Sequence, residues 1–242
     1  MEGPSLLILK ESIKTFKGKK IREASGTAAI QTEALVNQKI AGFKTWGKHF
    51  LIRFGEFSLR LHFLMFGSYR VNERNDAVPR LHLKFDDGEL NFYTCSVIRI
   101  DENLNTVYDW SADVMSDRWN PVKARKKIKK HPHATVADIL LDQTIFAGVG
   151  NIIKNEVLFR ILIHPETTVR KLPPRKLTAL ITEARNYSFD FYRWRKKFEL
   201  KKHWLIYTKK KCPRCKGPVT KKYTGLTKRR SFFCEECQVL FT

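Results

Sequence analysis

The sequence predicts a multidomain α+β protein, and three observations predict it. Short strand-like runs separated by turn residues occupy the chain from about residue 20 to residue 100. Apolar residues at helical spacing take over from about 134 to 200. Two CxxC pairs then appear in the tail, Cys212 with Cys215 and Cys234 with Cys237. A chain of 242 residues suffices for one large domain or two small ones plus a module. Its hydrophobic share of 43% supports packed cores rather than disorder.

In SLLILKESIKTFK, residues 5–17, Leu6, Leu9, Ile13 and Phe16 recur at helical spacing, and Pro4 suits a first turn. A short helix should open the fold. FLIRFGEFSLRLHFLMF reads as two strands around Gly55-Glu56. LHLKFDDGELNFYTCSVIRI reads as two more around Asp87-Gly88, a hairpin signal. Strands at this spacing suggest a sandwich or barrel. Leu64, Met65 and Phe66 follow one another, and on a strand three consecutive residues cannot all face one core. Cys95 stands alone in an apolar run and reads as a small buried hydrophobe.

Regularity fades over 101–120. NPVKARKKIKKHPH carries six basic residues from Lys123 to Lys130 and reads as a solvated linker at a domain boundary. ATVADILLDQ then gives one helix, GVGN interrupts, and IIKNEVLFRILI gives a second that stops at His164-Pro165. Pro173-Pro174 introduce a third, with Leu177, Ile181 and Ala184 on one face, which FDFYRWRKKFELKKHW extends. These readings divide the chain into 1–118, 119–207 and 208–242.

Charge narrows the partners. Forty-six Lys and Arg against 24 Asp and Glu give a net +22. Such a field attracts polyanions, and nucleic acid leads because counterion release rewards each phosphate contact. No apolar run is long enough to span a bilayer, and the features of a signal peptide are lacking. The expectation is a cytoplasmic protein, nucleoid-associated if bacterial, with no membrane partner.

The cysteines predict a metal. CxxC, eighteen residues, then CxxC can supply four thiolates from two tight turns, which closes a tetrahedron around structural Zn2+. Two strands joined by a turn fit between the pairs. From Lys201 to Arg230 there are twelve Lys or Arg and no acid. That one-sidedness suits a hairpin resting on a phosphate backbone.

Gly148 and Gly150 permit a tight turn before a helix. A helix start is an anion site, and Asn151 could add an amide donor there; a packing turn between helices fits equally. Taken together, EGP at the chain start, GK at Gly47-Lys48, LLDQ…GVGNIIKNEVLF with IHP, and the cysteine tail resemble the formamidopyrimidine-DNA glycosylase and endonuclease VIII family. The order of parts agrees over essentially the full length. LHFLMFGSYRV resembles a loop of the endonuclease VIII branch, which implies a closer likeness to that branch.

The resemblance implies a fold: an N-terminal helix on a two-sheet β-sandwich, a helix-two-turn-helix domain and a C-terminal zinc-finger hairpin. It implies a base-excision-repair glycosylase and abasic-site lyase, acting as a monomer on double-stranded DNA that contains a damaged base or an abasic site. Glu2 matches the family's acid, beside an N-terminal amine that forms a Schiff base with the sugar. Lys48 matches the residue that contacts phosphates flanking the lesion. Leu64, Met65 and Phe66 match the positions that fill the void left by an extruded base. Asn151 would hold a phosphate, as would the finger-tip Arg229, with Arg230 competing for that role.

Two positions depart from the family's pattern. Met1 precedes Glu2 directly where the family carries Pro, so Met1 takes the nucleophile's place. A primary amine can also form an imine. Ser5 stands where the family often has a second Glu. A binder of damaged DNA with weak or lost catalysis is therefore the alternative. A zinc-ribbon protein of RNA handling would explain charge and cysteines, but not EGP, GK and GVGN together.

Overall fold

The computed structural model describes all 242 residues. Contacts divide the chain into two compact units. One holds Met1 and Gly3–Tyr108, the other Glu2 and Asp109–Thr242. The division thus falls ahead of the 118/119 boundary expected from sequence. The cysteine tail belongs to the second unit, because Phe159 packs in one apolar cluster with Ile206, Cys212, Phe232 and Cys234.

The first unit opens with helix α1 (Gly3–Ser12) and a 3-10 turn at Lys14–Phe16. Leu6, Leu9, Ile13 and Phe16 are all buried, as their spacing predicts. Six strands follow: β1 (Glu23–Ser25), β2 (Gly42–Trp46), β3 (His49–Arg53), β4 (Ser58–Val71), β5 (Leu81–Phe85) and β6 (Gly88–Ile100). They form an antiparallel ladder in the order β1-β5-β6-β4-β3-β2. Both hairpins expected from the turn residues are present, closed by Arg53 opposite Ser58 and Phe85 opposite Gly88.

The ladder between β4 and β6 breaks between Phe63 and Ser68. Before the break β4 pairs with β3 and with the end of β6. After it, β4 pairs with the start of β6, which also carries β5. One core collects side chains from both parts: the rings of Phe50 on β3 and Phe92 on β6 lie 6.4 Å apart. The sheet is thereby folded into the two layers of a β-sandwich. A short helix, α2 (Leu104–Val107), follows.

The second unit contains α3 (Pro121–Lys129), α4 (Val136–Leu141), α5 (Asn151–Arg160), α6 (Pro174–Lys196) and the hairpin β7 (Thr220–Thr224) with β8 (Arg229–Phe233). The basic stretch read as a linker is in fact α3. Asn120 caps it by accepting from the Lys123 N–H at 2.9 Å, Pro121 occupies its first turn, and Ala124 and Ile128 are buried. Two apolar residues four apart were hidden among six cations. Leu177, Ile181 and Ala184 line the buried face of α6 as expected. No helix is long and apolar enough to cross a membrane.

Helix α5 departs from ordinary burial. Its Lys154 and Glu156 have no exposed surface at all. Buried charges are tolerated only where they are paired or hydrogen-bonded. Glu156 meets this condition by accepting from the backbone N–H groups of Leu205, Ile206 and Tyr207 at 2.8–3.1 Å. Burial raises its proton affinity, against the pull of those three donors.

Candidate active site and nucleic-acid interface

In the first unit the β2–β3 turn has two residues, with Trp46 opposite His49 and Gly47 at a φ of +53°. A left-handed first position in a two-residue hairpin favours glycine. The turn presents Lys48, which is half-buried. His49 faces His62 across the β3–β4 ladder, with ring centroids 5.4 Å apart. Burial lowers the proton affinity of His62, and the positive charges of the Met1 amine, Lys48 and Arg60 lower it further. The amine, Lys48 and His62 therefore share one electrostatic neighbourhood. Sequence reasoning missed His62; the signal was a lone imidazole in an otherwise apolar run, one register position from the hairpin lysine.

His49 is held down to about 4 by burial, then by Arg60 and His62. Its folded value lies below the unperturbed 6.5, so the unfolded chain binds the proton more tightly. Stability should fall as pH drops from about 6.5 to about 4. Partial solvent screening discounts the effect to about 1–2 kcal/mol. Urea unfolding at pH 4.5 and 7.5 should show wild type losing that much more than His49→Gln. Equal losses would remove His49 as the cause.

In the second unit the acid at the chain start has a fixed seat. Helix α5 begins after Gly150 without a side-chain cap. Its first free donors are taken by Glu2: the Ile152 N–H donates to Oε1 at 2.7 Å and the Ile153 N–H to Oε2 at 3.3 Å. The positive end of the helix dipole favours a carboxylate there. A Cβ at Gly150 would overlap the Glu2 carboxyl group, while the Gly150 φ of −122° is open to any residue. This glycine is thus present for space, not for backbone freedom. The anion at this helix start is Glu2 itself, where sequence left a phosphate site and a packing turn equally open. Asn151 is half-buried at the same helix start, with its Oδ1 buried and without a hydrogen-bond partner.

Leu64, Met65 and Phe66 occupy the break in the β4–β6 ladder and are 52%, 71% and 89% exposed. Phe66 adopts a φ of +67°, uncommon for a bulky residue. A Cβ at the adjoining Gly67 would lie 2.7 Å from the Thr94 carbonyl oxygen. The backbone is therefore pressed against β6 there, and the three preceding side chains are turned out. The alternation rule required at least one to leave the core; all three do.

The β7–β8 hairpin brings the four cysteines together, and their Sγ atoms all lie within 4.8 Å of one another. Cys212 and Cys237 are 3.8 Å apart and Cys215 and Cys234 3.4 Å. A tetrahedron of Zn–S bonds of about 2.3 Å has edges of about 3.8 Å, so the cluster fits a metal ion. Arg229 and Arg230 are both exposed on β8. The Arg230 guanidinium donates to the Tyr223 hydroxyl at 3.0 Å.

Two family models match the chain. The formamidopyrimidine-DNA glycosylase N-terminal domain matches residues 7–96, and the formamidopyrimidine-DNA glycosylase H2TH domain matches residues 111–187. Endonuclease 8-like 3 of Homo sapiens is 29% identical over 94% of this chain and 41% of its own length. The same protein of Bos taurus is 33% identical over 82% of this chain and 34% of its own length. The chain thus spans about two-fifths or less of these relatives. A formamidopyrimidine-DNA glycosylase of Ligilactobacillus salivarius (strain UCC118) is 28% identical over 98% of this chain and 95% of the relative. Among solved structures, a viral DNA glycosylase superposes with a TM-score of 0.85 at 22% identity, covering 99% of this chain and 100% of that one. The Lactococcus lactis formamidopyrimidine-DNA glycosylase, non-covalently bound to DNA containing an AP site, superposes with a TM-score of 0.86 at 24% identity, covering 98% and 99%.

Proposed function

Because the chain belongs to the formamidopyrimidine-DNA glycosylase and endonuclease VIII family, on its endonuclease VIII-like branch, we propose that it is a base-excision DNA glycosylase with abasic-site lyase activity. One observation carries the reading. The carboxylate next in sequence to the Met1 amine is held by two backbone donors at the start of α5. An acid fixed beside an amine nucleophile is the pairing that imine chemistry needs.

In this reading the Met1 amine attacks C1′ of the damaged nucleotide. The base leaves with the bonding electrons and takes up a proton. The Glu2 carboxylate takes up the proton that the attacking amine gives up, which assists the attack, and passes it to the ring oxygen as the sugar opens, so that the iminium between Met1 and C1′ remains. Removal of a 2′ proton then expels the 3′ phosphate. Lys48 and His62 steady the phosphates flanking the sugar. Leu64, Met65 and Phe66 enter the stack where the base has left, since exposed apolar side chains suit that place better than water. Asn151 and Arg229 hold backbone phosphates. The substrate is a duplex with an oxidised base, pyrimidines foremost, and the protein acts as a monomer. Cys212, Cys215, Cys234 and Cys237 hold Zn2+, whose four protein ligands leave it structural.

Borohydride trapping tests the lyase. Hydride reduces the C=N bond to a stable secondary amine, so a duplex with an abasic site should become linked to the protein, and peptide mapping should place the link on Met1. Tight binding without a link, or a link on a lysine, would favour the alternative, a damaged-DNA binder that has lost this chemistry.

A further inference from the structure

The hairpin that carries Arg229 is too small to hold its own geometry, since an isolated two-stranded ribbon is marginal in water. Helices α4 and α5 hold it at three places. At its tip, the Asp138 carboxylate accepts from the N–H groups of Leu226 and Thr227 at 2.9 and 3.0 Å and from the Thr227 hydroxyl at 2.9 Å. The Thr135 hydroxyl donates to the same carboxylate at 2.8 Å. A Cβ on Gly225, whose φ is +68°, would overlap that carboxylate, so the tip backbone lies directly on it.

Beside Arg229, the Lys154 amine donates to the Arg230 carbonyl at 3.2 Å and to the Ser231 hydroxyl at 2.9 Å. Ser231 is bonded in turn to the Thr224 hydroxyl at 2.6 Å, and Thr224 pairs with Arg229 across the ladder. Beyond it, Asn155 accepts from the Phe232 N–H at 2.7 Å. The Arg229 backbone is thus fixed before, beside and after, while its side chain is exposed.

A fully buried lysine is a costly way to fill space, because a methionine of similar volume would avoid the desolvation penalty. Burial and then the Arg229 charge hold the Lys154 amine down to about 7. Strand alternation puts Arg229 on the same face as Ser231, whose hydroxyl meets Lys154, while Arg230 points to the other face and is occupied by Tyr223. We propose that Asp138 and Lys154 are positioning residues that set the β8 backbone so that Arg229, rather than Arg230, meets a DNA phosphate. The proposal rests on the reading of Arg229 as a phosphate contact.

The salt dependence of binding separates positioning from mere support. The metal-loaded full chain would be titrated with a duplex carrying a chemically reduced abasic site. Loss of one phosphate contact lowers the slope of log K against log salt by about 0.9. Arg229→Ala should show that loss. Asp138→Asn and Lys154→Met should each show it too, with little further loss when combined with Arg229→Ala. Bound metal should stay unchanged, and the Leu226 and Thr227 amides should exchange faster in Asp138→Asn. A wild-type slope in both Asp138→Asn and Lys154→Met, or full additivity with Arg229→Ala, would overturn the clamp while leaving Arg229 in place. A wild-type slope for Arg229→Ala itself would overturn the phosphate reading and the clamp with it. Should a clamp variant lose metal or fail to fold, Ser231→Ala removes a single bond of the same network, and its slope decides in the same way.

Discussion

Replacing Glu2 by Gln is expected to slow base release by about 10²- to 10⁴-fold while DNA affinity stays at the wild-type level. Gln keeps a carbonyl oxygen that can accept from the Ile152 N–H, so the seat at the helix start is retained. It cannot give up a carboxylic proton, so only the acid–base step suffers. Single-turnover rates on one defined lesion, measured beside equilibrium binding, separate the two effects. Equal rates for Glu2→Gln and wild type would reject the assignment. Gly150→Ala should move in the same direction for a different reason, because its new methyl group displaces an intact carboxyl group.

Cys234→Ser should release the bound metal and weaken DNA binding by at least about tenfold. Structural zinc contributes about 10–16 kcal/mol of apparent binding free energy to small modules of this kind, and that energy is folding energy. Cys234 is buried in the cluster that joins the hairpin to Phe159, so loss of the metal should disorder β7 and β8 together. Arg229 then loses its fixed backbone. Metal analysis and a binding isotherm on the same preparation check both parts. Unchanged metal content with unchanged affinity would contradict the role.

Most of the scaffold was legible because local rules govern it. Period-2 runs and turn residues located β3 to β6, helical spacing located α1, α5 and α6, and four cysteines at zinc spacing announced their own meeting. Strand alternation alone marked Leu64, Met65 and Phe66 as residues that could not all be core. What stayed hidden depends on distance along the chain. The donors for Glu2 lie about 150 residues away, and nothing local to EGP indicates them. Lys154 in IIKNEVLF looks like an ordinary solvent-facing cation; only the folded hairpin shows it buried. Helix α3 was obscured because its small apolar stripe is outweighed by its cations. The choice between Arg229 and Arg230 turns on which side of one strand each occupies, and adjacent residues carry no such label in sequence.

Helix α5 is ten residues long, a rod of about 15 Å. Its first turn grips Glu2, its middle grips β8 through Lys154 and Asn155, and Glu156 grips the segment that leads into the cysteines. Three grips on one rigid bar make a lever. A side chain that tips the bar, even one that meets neither sugar nor phosphate, would shift the acid and the arginine in the same stroke, so chemistry and grip on the strand should fail together rather than one at a time.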